Sequence, residues 1–224
     1  MKIHPSMACA LFLAGSVCGL QAQLRPEQHK CLVDTVRWLG SEGVGYGEAW
    51  RLPDRPGTWV MDCSNTTRYL YARVLGIDLP RTASDQYWTL SQQGRITDAP
   101  VRTDGSIDTT ALLGQLRSGD LLFWEWTYNI KRTPPVSHVM IYLGRTADGT
   151  PKMAGSSSAS LGETFKRGGV DVYDFDPNAS MGGVKDMFGG YKRRARFVGF
   201  GRPLQQVQPG PETAGSASIE RPQG

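Results

Sequence analysis

Met61-Asp62-Cys63-Ser64-Asn65-Thr66-Thr67-Arg68-Tyr69-Leu70-Tyr71 is the stretch that decides the fold of this chain. A thiol stands where a loop ends and an amphipathic helix begins. Thr67, Leu70, Tyr71, Val74 and Leu75 recur at helical spacing and give the segment one apolar face. Ser64, Asn65 and the pair Thr66 and Thr67 are residue types that satisfy free N–H groups at a helix start. A cysteine placed there faces the positive end of the helix dipole. That end favours the thiolate, which is the nucleophilic form. The plainer reading is a small buried cysteine that only packs.

Upstream, residues 26–39 read as a helix, with Pro26 in its first turn and Cys31, Leu32, Thr35, Val36 and Leu39 forming an apolar stripe. Residues 40–57 are rich in glycine and proline and read as a loop carrying Tyr46 and Trp50. Aromatic side chains just upstream of a candidate nucleophile can wall a cleft, or can pin the loop to the core. Downstream, Gly76 closes the Cys63 helix, Thr82 caps a short helix running to Leu90, and residues 104–116 give a turn and another short helix. The pattern then changes to strands at 120–126, 136–143, 153–158, 170–175 and 196–200, divided by glycine and proline turns. Residues 182–194 are glycine-rich and read as irregular. Helices followed by an antiparallel set of about five strands make an α+β domain. Residues 205–224 consist mainly of Gln, Pro, Gly, Ser and Glu and read as a disordered tail.

The first residues read as a targeting segment. Lys2 and His4 precede an apolar run over residues 7–20, which ends in Leu20-Gln21-Ala22. This is the pattern of a secretory signal peptide cut after Ala22, and the run is too short for a comfortable transmembrane span. The expected organisation is therefore a signal peptide over 1–22, a domain over 23–204 and the tail, with the mature protein periplasmic or secreted. A lipoprotein anchor at Cys18 would want a small residue before the cysteine, and Val17 stands there. Cleavage leaves Cys31 and Cys63, and two thiols in an exported protein can form a disulfide. That bridge would silence Cys63 until reduced, and it needs the two Cα atoms within about 7 Å. A formal charge of +4 without a nucleic-acid motif gives no reason to expect nucleic acid as a partner.

A cysteine nucleophile needs a base that takes its proton and hands it to the leaving amine, and histidine does both near neutral pH. His4 lies in the leader and His29 at the start of the first helix. His138 opens the strand Ser137-His138-Val139-Met140-Ile141-Tyr142-Leu143-Gly144. A histidine at a strand start can reach a helix N-terminus packed across from it, or can be a hydrogen-bonded structural residue.

Three blocks now carry a resemblance. Asp62-Cys63-Ser64, Tyr69-Leu70-Tyr71 and the run from Leu75-Gly76-Ile77-Asp78-Leu79-Pro80 through Arg81-Thr82-Ala83-Ser84-Asp85-Gln86 resemble the nucleophile block of the NlpC family. Leu116-Arg117-Ser118-Gly119-Asp120-Leu121-Leu122-Phe123 resembles its turn and strand before the base, and residues 137–144 resemble its histidine block. The blocks stand in the family's order, and the likeness covers residues 32–203. The resemblance implies a papain-like fold and a cysteine endopeptidase of cell-wall peptides. It implies Cys63 as nucleophile, His138 as base, and Tyr46 near the thiol. Asp62 and Ser64 would help hold the substrate's amine, and Arg81 and Ser84 would border the cleft. Backbone N–H groups around Cys63 would form the oxyanion hole.

The departures are Asn65 for a frequent glycine, Ser118 for a frequent proline, and Ala154 where the family often carries a histidine that orients the base. Alanine accepts no hydrogen bond from an imidazole, and control of the imidazole tautomer matters in triads. A backbone carbonyl, a water or, after a register shift, Ser156 would have to accept the imidazole N–H instead. The expected function is hydrolysis of the γ-D-glutamyl–diamino acid bond of murein stem peptides by a monomer without metal or cofactor. The alternatives are a murein-peptide binding module that no longer cuts, a secreted toxin with the same chemistry, and a disulfide-locked structural domain. Lys192-Arg193-Arg194 with Arg196 form a basic cluster that suits an anionic wall polymer or lipid, or simply a solvated strand end.

Overall fold

The computed structural model describes residues 24–48, 59–158, 162–164 and 168–203. The expected signal peptide, the tail and Trp50 lie outside these residues.

Among the described residues, four helices precede or flank one antiparallel sheet. In chain order they are α1 (Pro26–Ser41), α2 (Cys63–Leu75), α3 (Ala83–Gln92), β1 (Ile96–Asp98), α4 (Thr109–Gln115), β2 (Leu121–Glu125), β3 (Val136–Arg145), β4 (Pro151–Ser157), β5 (Gly169–Asp174), β6 (Gly183–Lys185), β7 (Tyr191–Arg194) and β8 (Arg196–Gly201). The main sheet has six strands in the order β1-β8-β2-β3-β4-β5, while β6 and β7 form a separate hairpin. All five expected strands are present. The short, partly polar β1 and the hairpin within residues 182–194 are additions, and so that glycine-rich segment is regular in part.

Each helix start follows its side chains. Pro26 opens α1, and the Arg25 N–H donates to Gln28 Oε1 at 3.0 Å. Asp62 caps α2 by accepting the Asn65 N–H at 2.7 Å, and Thr82 caps α3 by accepting the Asp85 N–H at 3.1 Å. α2 ends at Gly76 in the left-handed region (φ 68°), and the Ile77 N–H turns back to the Tyr71 carbonyl at 3.3 Å.

The alternation of the central strands divides the core in two. Val139 and Ile141 of β3 join Ala154, Val172, Leu32, Val36, Leu70 and Tyr71 in the core beneath α1 and α2. Met140 and Tyr142 face the other way, into a cluster with Leu112, Leu122, Trp124, Phe197 and Phe200. Burial of these side chains, each contributing about 1.5–3 kcal/mol, clamps the start of α2 against β3. Tyr71 of α2 adds a buried hydrogen bond from its hydroxyl to the Gly119 carbonyl before β2. Among the described residues no helix is long and apolar enough to cross a membrane.

Candidate active site

Cys63 is the first residue of α2, 4% exposed, and its thiol is free. A Cys31–Cys63 bridge is therefore not formed, and the disulfide-locked alternative loses its premise. The sulfur rests against the start of β3. The Cys63 thiol donates to the Ser137 carbonyl at 3.9 Å, and the N–H groups of Val139 and Ser64 point at the sulfur. These contacts fall on both sides of His138 in the chain.

A β-bulge shapes that strand start. Trp124 pairs with His138 and Glu125 with Val136, which leaves Ser137 as the extra residue. The Ser137 hydroxyl accepts the Thr127 N–H at 2.8 Å and so ties the bulge to the end of β2. His138 is 6% exposed, its ring 5.6 Å from that of Trp124, and its Nε2 is buried without a hydrogen-bond partner among the described residues. Ala154 pairs with Ile141 and offers no polar side chain, and the buried Ser156 hydroxyl also has no partner among the described residues. Neither residue of β4 orients the imidazole.

The start of α2 carries a compact ionic cluster. Arg81 Nη2 lies 2.6 Å from Asp62 Oδ2 and Arg81 Nη1 lies 3.2 Å from Asp62 Oδ1, so the pair is bidentate. Arg81 Nη1 also donates to the Ser64 hydroxyl at 3.0 Å, and that hydroxyl donates to Asp62 Oδ1 at 3.0 Å. Gln86, 1% exposed, holds α3 to α2: its amide donates to the carbonyls of Ser64 at 3.1 Å and Pro80 at 2.9 Å, and it accepts from the Thr67 hydroxyl at 3.1 Å. The Ser84 hydroxyl donates to the Pro134 carbonyl at 2.7 Å and fixes the segment entering β3. Tyr46 is held beside this cluster because Gly45 bridges to Val60, with the Met61 N–H donating to the Gly45 carbonyl at 3.0 Å.

These groups enclose a cavity of about 260 Å³. Tyr46, Asp62, Cys63, Ser64, Arg81 and Ser84, residues singled out in the sequence, all line it. His138 does not; its neighbours Ser137 and Val136 do. Glu48, Tyr128, Ile130 and Arg132 complete the wall without having been singled out. The last three stand in the loop 126–135, which has no periodicity to read. The one cue was an aromatic and a cation close before the base strand.

Burial governs the charge state. It pushes the Cys63 thiol up to about 12, the Asp62 carboxylate adds to the rise, and Arg81 opposes it. Burial pulls His138 down to about 4, with Asp62 working the other way. The helix start alone would favour the thiolate, but a thiol removed from water beside a carboxylate stays protonated. At neutral pH this arrangement holds a neutral thiol and a neutral imidazole. Among the described residues no three His, Cys, Asp or Glu side chains cluster as metal ligands.

The model of the NlpC/P60 family matches residues 47–161, just over half of the chain. No curated protein sequence matches the chain. A solved structure described as similar to lipoprotein, NLP/P60 family, from Staphylococcus aureus subsp. aureus Mu50, aligns with a TM-score of 0.44 and 21% identity. The alignment covers 81% of this chain and 45% of that one, so the chain spans less than half of that protein's length.

Proposed function

The chain belongs to the NlpC/P60 family, generally cysteine peptidases with a cell-wall theme, and from that premise we propose that it is an exported cysteine endopeptidase of murein stem peptides. Its bond is the γ-D-glutamyl–diamino acid amide. One observation carries the reading: the Cys63 thiol opens into a cavity walled by Asp62, Ser64, Arg81 and Tyr46, and it contacts the backbone on either side of His138.

Cys63 would turn from the Ser137 carbonyl to the imidazole and give it the thiol proton. The thiolate adds to the scissile carbonyl, and N–H groups at the start of α2 receive the oxyanion. The imidazolium then protonates the leaving amine as the C–N bond breaks, leaving a thioester on Cys63. Water, deprotonated by the imidazole, cleaves the thioester and restores the thiol. Asp62 and Ser64, held by Arg81, would take the amine of the peptide.

The unpartnered His138 Nε2 and the protonated thiol support a second reading, a module that binds these peptides without cutting them. Incubation of the chain from Gln23 onward with L-Ala-γ-D-Glu-diaminopimelate under reducing conditions, read by mass spectrometry, separates the two. Free diaminopimelate from wild type and none from Cys63→Ala supports the peptidase. Tripeptide binding that survives Cys63→Ala, without turnover in wild type, supports the module. Full turnover by Cys63→Ala would sink the proposed mechanism.

A further inference from the structure

The hairpin β6–β7 is not used by the cleavage chemistry, and its surface is unusual. Met187 and Phe188 at its tip are 89% and 90% exposed. They do not hang on a slack loop. Asp186 Oδ1 accepts the N–H groups of Phe188 and Gly190, both at 2.9 Å, and the Asp186 N–H donates to the Gly190 carbonyl at 2.8 Å. Gly189 sits in the left-handed region at φ 83°, which lets the turn close. The tip is thus a built turn that holds two large apolar side chains out into solvent.

The strands behind the tip are basic. Lys185, Lys192, Arg193 and Arg194 are all exposed, and none makes an ion pair with a described residue. Asp186, between the two strands, is occupied by the turn, and Glu125, which shares a groove with Arg194, is paired with Arg196. The base of the hairpin is anchored: the Arg193 guanidinium lies 3.9 Å from the Trp126 ring centroid, and the Ala195 N–H donates to the Gly182 carbonyl at 3.0 Å.

We propose that the β6–β7 hairpin docks the protein on an anionic phospholipid bilayer, with Met187 and Phe188 entering the interface and the four cations meeting the headgroups. A polyanionic polymer would need the cations alone. An ordered apolar tip beside a row of cations suits a surface where hydrocarbon lies just beyond the negative charge. Each Lys or Arg at such a surface strengthens binding roughly five-fold, and the tip adds burial of two large side chains. The hairpin also flanks the cleft: Ile130 lines both the cavity at Cys63 and a groove formed with Val184, Lys185, Lys192 and Arg193. Docking would therefore bring the cleft alongside the membrane surface.

The test is co-sedimentation with sucrose-loaded vesicles of phosphatidylglycerol and phosphatidylethanolamine, against phosphatidylcholine alone. The full-length chain and the chain from Gln23 onward are run in parallel, because the apolar run over residues 7–20 could insert by itself. Cooperative thermal unfolding confirms that each protein is folded. The chain from Gln23 is expected to sediment with the anionic vesicles and not the neutral ones. Met187→Ser with Phe188→Ser, and separately Lys185→Glu with Lys192→Glu, each lower the partition coefficient at least about ten-fold. Wild type left in the supernatant, or either double variant partitioning like wild type, overturns the proposal. Loss of binding only in the charge variant would assign the surface to a polyanion instead. A dimer in solution dispersed by Phe188→Ser would assign the tip to contact between two copies.

Discussion

The Cys63 thiol donates to the carbonyl of Ser137, 3.9 Å away, and not to the imidazole of the next residue in the strand. The proposed nucleophile is therefore buried, protonated and lodged on backbone. Its release depends on the charges around it, and those charges can be altered one at a time.

Asp62 raises the thiol and Arg81 lowers it, so their substitutions have opposite signs. Asp62→Asn keeps an N-cap acceptor for α2 but removes the charge. Alkylation of Cys63 by iodoacetamide at pH 8 should accelerate about ten-fold. Arg81→Ala leaves the carboxylate unopposed and should slow it by a similar factor, at a stability cost of about 2 kcal/mol. Equal rates in both variants would show that Asp62 and Arg81 do not set the thiol's protonation.

His138 makes stability depend on acid. Its folded value lies near 4, below the ordinary 6.5, so an unfolded chain takes up a proton that the folded one refuses. The contribution is complete above pH 6.5 and is lost as pH falls toward 4, by about 3 kcal/mol in all. Asp120 runs the other way. Burial raises it to about 6, so its contribution is complete below its ordinary value of 3.8 and is lost as pH rises through 6. The wild-type profile sums both, and the difference between wild type and His138→Phe isolates the histidine. Urea unfolding at pH 7 and pH 4 should show that difference shrink on acidification.

Gln86 is expected to matter more than its place outside the nucleophile motif indicates. Gln86→Met removes donors from two carbonyls and an acceptor from Thr67 in a site that water does not reach. A loss of about 3 kcal/mol is expected in chemical denaturation. Because the Ser64 carbonyl belongs to the first turn of α2, the proposed hydrolysis should fall as well, at temperatures where the variant remains folded.

Gly76 tests the end of the same helix. An added Cβ meets nothing within 4 Å, so Gly76→Ala is limited by its φ of 68° alone. The expected cost is about 1 kcal/mol, or a Tm lowered by about 2–4 °C. A Tm unchanged within error would mean that the helix end relaxes into another cap.

These variants also mark how far the chain could be read in advance. The cavity wall at 62–64 and 81–84 was legible because it falls at the starts of two amphipathic helices, where capping residues and apolar spacing signal the same boundary. Tyr128 and Arg132 were not, since an irregular loop has no period. β1, with three residues and only Ile96 apolar among them, lacked enough length to show alternation. The protonated thiol was hidden for another reason. A helix start is local and visible in sequence, whereas burial against β3 is created by residues some seventy positions away, and here burial outweighs the dipole.

The place of β8 has a consequence for how the protein is made. Among the described residues β8 is the last strand, yet it lies between β1 and β2, and β1 has no other neighbour in the sheet. A ribosome delivers residues in order, and domains acquire structure as they emerge. The hairpin of β2 and β3 can pair early, but one flank of β2 stays open until residues 196–201 arrive. The nascent chain thus carries an unsealed sheet edge from the end of β2 at Glu125 until Arg196 is made, in the strand next to the one that bears His138. A stop codon shortly before Arg196 would leave that edge permanently bare, a template for pairing with other chains. The cleft would then depend for its soundness on a strand that supplies none of its lining residues.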